Sequence, residues 1–369
     1  MEIPLARPDV GPPEIDAVTA VLKTPHLSLG PKLPEFEAAF ADYCGTKHGV
    51  AVNSGTSALH LCLAALDIGP GDEVITTPFS FVASANCILF VGARPVFADI
   101  DPDTWNIDPA AVAGAVTDNT KAIVAVDVFG QPADMDPIRA IAAQRNLRVV
   151  EDSCEALGAI YKGRRAGSLA DVGVFGFYPN KQITTGEGGM IVTDDDSIAR
   201  IARSLRNQGR GETAAWMAHE RMGYNFRLSD INCALGLAQL QRVDEILAGR
   251  KRIAEMYLER LSGEDRLRSQ RVIGDARISW FVFVVRLADR YSRADRDRIL
   301  DSLRGRGIGC GNYFTPIHLQ PYMVEQFGFK PGDFPRCEAL SDRTIALPFH
   351  TQLTTEQIDF VCDSLRSLL

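Results

Sequence analysis

The sequence predicts an α/β fold: a mostly parallel sheet of seven strands covered on both faces, followed by a smaller C-terminal α+β domain. Three observations carry this reading. Short β-rich runs at 48–52, 73–77, 94–98, 121–127, 147–151, 172–177 and 189–193 alternate with helical patterns at 56–66, 80–91, 109–115, 136–145 and 194–207. Helix-sized crossovers go with parallel pairing, because antiparallel neighbours can be joined by a short turn. The span 172–193 has no room for a full crossover helix between its two strands, so at least one antiparallel strand is expected there. Finally, 369 residues exceed the roughly 250–300 at which a single core stops growing, which calls for a second domain.

Taken in order, the first 45 residues carry Pro12-Pro13-Glu14 at the head of an amphipathic stretch near 14–23, a Leu27-Ser28-Leu29-Gly30-Pro31 loop, and a helix from Lys32 to Cys44. The seven strands and their helices come next. From Leu228 the pattern is helical through Leu261, with Leu235, Leu237, Leu240, Val243, Ile246 and Leu247 forming an apolar stripe. This long helix leads out of a large domain, 1–245, into a small one, 246–369. There a strand is expected at Trp280–Val285, a helix near 292–305 and a terminal helix near 354–368.

Composition excludes several functions. A 46% hydrophobic and 23% charged chain is an ordinary globular protein, and a net charge of -8 argues against a nucleic-acid binder working through a basic surface. There is no apolar run long enough to span a bilayer and no apolar signal segment after Met1-Glu2-Ile3-Pro4, which reads as soluble, unexported and cytoplasmic. The eight cysteines form no Cys-x-x-Cys pair and read as reduced core thiols, Cys154 included. The six histidines show no ligand spacing such as His-Glu-x-x-His, so no metal is expected.

Lys181 organises the candidate site. It lies in Gly176-Phe177-Tyr178-Pro179-Asn180-Lys181-Gln182-Ile183-Thr184-Thr185-Gly186-Glu187-Gly188-Gly189, downstream of an apolar strand ending at Asp152. An amine in a glycine-rich turn and a carboxylate from a neighbouring strand end are what pyridoxal 5'-phosphate (PLP) chemistry needs. The amine holds the cofactor and carries protons; the carboxylate keeps the pyridine nitrogen positive, so that the ring accepts electrons. Asn53-Ser54-Gly55-Thr56-Ser57-Ala58 follows a strand and opens a helix, where amides and hydroxyls receive a phosphate or serve as a plain N-cap. Phe81, after a second strand, either covers a ring face or is an ordinary core aromatic. A dinucleotide site is disfavoured, because no Gly-x-Gly-x-x-Gly follows an early strand.

The ordered set of motifs resembles the DegT/DnrJ/EryC1/StrS sugar aminotransferases, members of the aspartate-aminotransferase-like group of PLP enzymes, over residues 10–368. It consists of Asn53–Thr56, Phe81–Asn86, Pro95–Asp101, Gly130–Asp134, Glu151–Gly158, Lys181 with its Thr-Thr-Gly-Glu-Gly-Gly tail, and Gly223–Ser229. The resemblance implies the PLP-dependent transferase fold of type I. It implies that Gly55 and Thr56 contact the phosphate, Phe81 stacks on the ring, Asp152 pairs with its nitrogen and Lys181 forms the Schiff base. Asn225 is expected at the cofactor phosphate of a neighbouring subunit, which makes the protein a homodimer with shared sites.

Two positions depart from the family pattern and one varies with it. Gly176 stands where many members have a phosphate-binding Ser, and Glu155 stands for a Gln or His near the cofactor's phenolic oxygen. Asn312 falls where substrate contacts vary. Relatives with histidine at the Lys181 position dehydrate sugars; lysine implies amino transfer, with pyridoxamine 5'-phosphate between two half-reactions. The expected donor is L-glutamate and the expected acceptor a nucleotide-linked 4-keto-6-deoxy sugar. The alternatives are a keto-cyclitol such as scyllo-inosose, a 3-keto nucleotide sugar, or a non-catalytic PLP-binding regulatory protein. Segments 311–320 and Leu27–Gly30 are expected to line the sugar pocket, and Arg227 is a candidate anion contact.

Overall fold

A computed structural model describes residues 2–211 and 218–369. Helices α1 (Pro12–Leu22) and α2 (Lys32–Cys44) precede an alternating run of β1 (His48–Val52), α3 (Gly55–Ala65), β2 (Glu73–Thr76), α4 (Ala83–Phe90), β3 (Arg94–Phe97), α5 (Pro109–Ala115), β4 (Thr120–Val126), α6 (Met135–Arg145) and β5 (Arg148–Asp152). The hairpin β6 (Ile160–Tyr161) and β7 (Arg164–Arg165) leads to β8 (Val172–Gly176), β9 (Gly189–Thr193), α7 (Asp196–Arg206), α8 (Asp230–Gln241) and α9 (Val243–Arg260). The remainder is β10 (Leu267–Arg268), β11 (Ala276–Arg277), β12 (Phe283–Leu287), α10 (Arg293–Gly305), α11 (Pro321–Phe327), α12 (Pro335–Ser341), β13 (Thr344–Leu347) and α13 (Thr355–Arg366).

Seven strands form the central sheet in the order β1-β9-β8-β5-β4-β2-β3. β9 runs antiparallel to both β1 and β8, while the other pairs are parallel, which is the mixed sheet that the short 172–193 span demands. Its strands are apolar on both faces because helices cover both. α3, α4 and α7 bury Val50, Val74, Val124, Val150 and Ile191 on one side. On the other, α2, α8 and α9 cover Ala51, Phe175 and Val192, and α5 and α6 cover Ile75, Ile123 and Val149. Each such aliphatic side chain contributes about 1.5–3 kcal/mol on burial. A second sheet, β10-β12-β13, packs with α9, α10 and α13 around Phe283, Val285, Ile299 and Leu347.

Three elements differ from the sequence expectation. The helix expected across 228–261 is two helices meeting at Arg242, whose guanidinium ion-pairs with Asp9, Glu14 and Glu245. The leucine stripe continues through both helices, so periodicity does not show the break. The strand expected at 280–285 begins at Phe283, because the Trp280 and Phe281 carbonyls accept from the buried Arg250 guanidinium at 2.9 and 2.7 Å instead of entering a ladder. The helix expected at 80–91 starts at Ala83, which leaves Phe79–Phe81 as a loop with the Phe79 amide held by the Thr77 hydroxyl at 3.1 Å. That loop joins β2 to α4 at the carboxyl edge of the sheet, where open α/β sheets hold their ligands.

Candidate active site

Strand ends and one helix start converge on a cavity of about 730 Å³ lined by Gly55, Thr56, Phe81, Asp152, Glu155 and Lys181. β1 delivers the chain to Ser54, whose side chain accepts the Ser57 amide at 3.0 Å and so caps α3. The amides of Gly55 and Thr56, first in that helix, have no carbonyl four residues back to bond, and they stand at its positive end. The approach to this turn is tight. A Cβ on Gly55 would lie 2.9 Å from Cys154 Sγ and 3.3 Å from Gly176 Cα, and one on Gly189 would lie 2.5 Å from the Ser54 carbonyl oxygen. The glycines thus keep a backbone cradle open to an anion.

Asp152 ends β5 with its side chain buried, 4% exposed. The Ser84 hydroxyl donates to its Oδ2 at 2.7 Å and the Cys154 amide to its Oδ1 at 3.3 Å. Ser84 is itself 3.0 Å from Ser80 Oγ, four residues earlier in the preceding loop. Among the described residues no cation ion-pairs with Asp152, so a buried carboxylate faces the cavity with neutral donors only. This is the environment that a protonated pyridine nitrogen completes.

Lys181 Nζ lies 3.6 Å from Glu155 Oε1 and 4.0 Å above the Phe281 ring. Glu155 Oε2 accepts the Phe129 amide at 2.9 Å. Burial pushes the Glu155 carboxyl above the usual carboxylate range, and the Lys181 charge and the Phe129 amide only partly oppose it. The tail folds back over Lys181: the Thr185 amide and the Thr184 hydroxyl both donate to the Phe177 carbonyl, at 3.0 and 2.9 Å, and Gly186 takes φ 80°. Burial first and the Asp152 charge second push the Cys154 thiol well above its ordinary value, which disfavours the nucleophilic thiolate. All eight cysteines are free, and Cys154 alone is not fully buried.

Phe81 stands at the mouth, 60% exposed, with a ring face free to cover a flat ligand. Asn312, Tyr313, Phe314, Thr315 and Gln320 line the same cavity as expected, although the Asn312 amide nitrogen is committed to Ser341 O and Thr344 Oγ1, each at 2.8 Å. His318 is buried against Glu338, 3.0 Å away, outside the lining. Two expected components lie elsewhere in the chain. Leu27–Gly30 does not line the cavity, since the bridge from Ser28 to Ser229 directs that loop toward the start of α8. Asn225 is exposed, bridged to Asn207, and outside its own chain's cavity. Arg227 Nη1 donates to Asn207 Oδ1 at 3.0 Å.

Ser84 and Phe281 escaped the sequence reading. Ser84 follows Ser80 by four positions, a spacing that would have placed the two hydroxyls together on a helical turn. Phe281 is brought over Lys181 from a hundred residues away by Arg250, and no local pattern announces it. Among the described residues no group of three or more His, Cys, Asp or Glu is placed to hold a metal, and no helix is long and apolar enough to cross a membrane.

This buried carboxylate, the amine in its glycine turn and the open helix start fit PLP. The chain matches the profile of the DegT/DnrJ/EryC1/StrS aminotransferase family over residues 8–366. It is 42% identical to the GDP-perosamine synthase of Caulobacter vibrioides, covering 100% of this chain and 98% of that one. It is 40% identical to the spore coat polysaccharide biosynthesis protein SpsC of Bacillus subtilis, covering 100% and 97%. Among solved structures it superposes on Spr1654 of Streptococcus pneumoniae in its PLP form with a TM-score of 0.95 and 30% identity, covering 100% of this chain and 98% of that one. The chain belongs to the DegT/DnrJ/EryC1/StrS aminotransferase family and is a PLP-dependent sugar aminotransferase, taking an amino donor and a keto-sugar acceptor.

Proposed function

We propose that the enzyme moves the amino group of L-glutamate to a nucleotide-linked 4-keto-6-deoxy sugar. The observation that carries this reading is the enclosure of Lys181, Asp152 and the α3 start in one cavity, in a chain 42% identical over its whole length to a GDP-perosamine synthase. PLP, when bound, supplies an electron sink for breaking the Cα–H bond. Gly55 and Thr56 would anchor its phosphate, Phe81 would cover its ring, Asp152 would hold a proton at the ring nitrogen, and Glu155 would face the phenolic oxygen. Lys181 holds the resting cofactor and then, as a free amine, moves the proton between substrate carbon and cofactor through Nζ.

Burial pushes the Glu155 carboxyl above the usual carboxylate range, which favours the protonated, hydrogen-bond-donating form at the position where the family pattern has Gln or His. The exposure of Asn225 outside its own cavity supports a homodimer in which it completes the neighbour's phosphate site. We place the division between a large and a small domain near residue 245, within α9, and the enzyme in the cytoplasm.

The test is to charge the protein with L-glutamate, remove the donor, and offer dTDP-, UDP- and GDP-linked 4-keto sugars, a 3-keto nucleotide sugar and scyllo-inosose, with the aminated product identified by mass. Transfer to one or more of the 4-keto nucleotides supports the proposal. Transfer only to the 3-keto sugar overturns the regiochemistry, and transfer only to the cyclitol overturns the substrate class.

A further inference from the structure

A second cavity, of about 340 Å³, lies between the end of α7 and the segments 207–211 and 220–221. It shares no lining residue with the Lys181 cavity. Among the described residues, the guanidinium groups of Arg200, Arg203, Arg206, Arg210 and Arg221 and the carboxylate of Glu220 line it. In a chain of net charge -8 such a concentration of positive charge is a local exception, and like charges gathered at one surface repel unless an anion sits among them.

Local structure explains only part of the cluster. Arg203 and Arg206 occupy the last turn of α7, where cations complement the helix carbonyl end. Arg206, 7% exposed, also neutralises the buried Glu37 carboxylate. That carbonyl end is satisfied without the other arginines, however. The Ser204, Leu205 and Arg206 carbonyls accept the amides of Gly209, Tyr224 and Phe226 at 2.8, 2.6 and 3.0 Å. Arg200 and Arg203 bond only neutral oxygens, the Ser197 hydroxyl at 3.5 Å and the Gly49 carbonyl at 3.2 Å. Among the described residues they pair with no carboxylate. Arg221 reaches Glu220 only at 3.8 Å.

An independent observation points to a ligand. Ser204 lines the cavity and is 5% exposed, and its hydroxyl oxygen is buried with no hydrogen-bond partner among the described residues. Buried polar groups are seldom left unmatched, and an orphan hydroxyl among guanidinium groups is a donor awaiting an acceptor oxygen. Planar guanidinium forks pair bidentately with oxyanions, phosphate above all, and the cavity volume lies at the small end of the range for ligand sites.

We propose that this cavity is an anion site, distinct from the Lys181 cavity, that takes a phosphate-type group of the size of a diphosphate. Either a free diphosphate or the diphosphate of a nucleotide supplies that chemistry. The residues themselves sit beside Asn207, which bridges Asn225 and accepts from Arg227, so occupancy of the site bears on the arm that carries both.

The experiment is calorimetric titration of the PLP-loaded enzyme, whose cofactor-phosphate site is already filled, with inorganic pyrophosphate and, separately, with GDP, UDP and dTDP. Ionic strength is held constant with sodium chloride so that screening does not vary. One saturable event per chain is expected with pyrophosphate; a nucleoside diphosphate can also enter the Lys181 cavity, and its binding to this site is the part that the arginine variants remove. Arg200→Gln and Arg221→Gln should each weaken it roughly tenfold, the loss of one charge-assisted contact. Arg139→Gln, which removes an exposed charge elsewhere, should leave it unchanged. Ser204→Ala should weaken binding without lowering the melting temperature of the unliganded site, because it deletes a hydroxyl that pairs with nothing there. Tighter binding of a nucleoside diphosphate and equal binding of pyrophosphate both support the site, and they separate nucleotide-borne from free diphosphate. Absence of saturable binding overturns the proposal, as does equal weakening by Arg139→Gln or unchanged affinity in the folded Arg200→Gln and Arg221→Gln variants.

Discussion

Gly176→Ser should tighten PLP binding. Gly176 ends β8 beside Gly55, and a Cβ there would meet its nearest neighbour, Cys154 Sγ, at 3.4 Å, which is ordinary contact. Its φ is not in the left-handed region, so serine is unstrained. The new hydroxyl lies on the cavity lining next to the free amides of Gly55 and Thr56. A hydrogen bond to a charged group contributes about 1.5–3 kcal/mol. Displacement of solvent already at the phosphate puts the gain at the lower end, so the dissociation constant should fall roughly tenfold. Equilibrium titration of apoprotein with PLP measures it, and Gly176→Ala separates the hydroxyl from the added methyl volume. Gly189→Ala should act in reverse. There the Cβ meets the Ser54 backbone at 2.5 Å, which cannot rotate aside, so overpacking of about 1–3 kcal/mol pushes the cradle itself. If Gly176→Ser binds PLP no better than Gly176→Ala, the phosphate does not sit at this turn.

Asp152→Asn should fold normally, since the asparagine oxygen still accepts the Cys154 amide and its NH2 donates to the Ser84 hydroxyl oxygen once that hydroxyl turns, yet lose turnover by at least a hundredfold; near-native turnover in the folded variant would leave Asp152 a structural residue. Apoprotein carrying Glu155→Gln should differ from the parent in the pH dependence of its melting temperature. Burial raises the Glu155 carboxyl above 4.5, so the folded state holds this proton more tightly than the unfolded state. That contribution is complete below the unfolded value and is lost as pH rises through the folded one. The parent should therefore lose stability relative to Glu155→Gln from acid toward neutral pH, and parallel curves would refute it. Sedimentation at assay concentration should give a dimer burying above roughly 2,000 Å² in total, and a fully active monomer would contradict the role given to Asn225.

The seven sheet strands were legible because each is a short β-rich run flanked by a helix-length connection, and the reversed β9 because 172–193 is too short for a crossover. That Gly55, Thr56, Asp152 and Lys181 share one cavity has a related reason: each sits where a strand or glycine turn ends, so topology gathers them. Features created by distant contacts stayed hidden. The break at Arg242 depends on carboxylates at Asp9 and Glu14, and the start of β12 on Arg250. The two-residue strands β6, β7, β10 and β11 carry too few residues for a period to register, and β13, α11 and α12, no shorter than β2 or α5, lie outside the regular strand–helix alternation that marked those. The position of Leu27–Gly30 outside its own chain's cavity has the same origin, since the Ser28–Ser229 bridge spans two hundred residues.

The central claim is that Lys181 is the residue that holds the cofactor. Borohydride reduction of the PLP-loaded enzyme, followed by proteolysis and mass spectrometry, tests it most directly. The account predicts a single phosphopyridoxyl adduct on the peptide containing Tyr178-Pro179-Asn180-Lys181, located on Lys181 Nζ; an adduct confined to another lysine, or none after saturation with PLP, would contradict it.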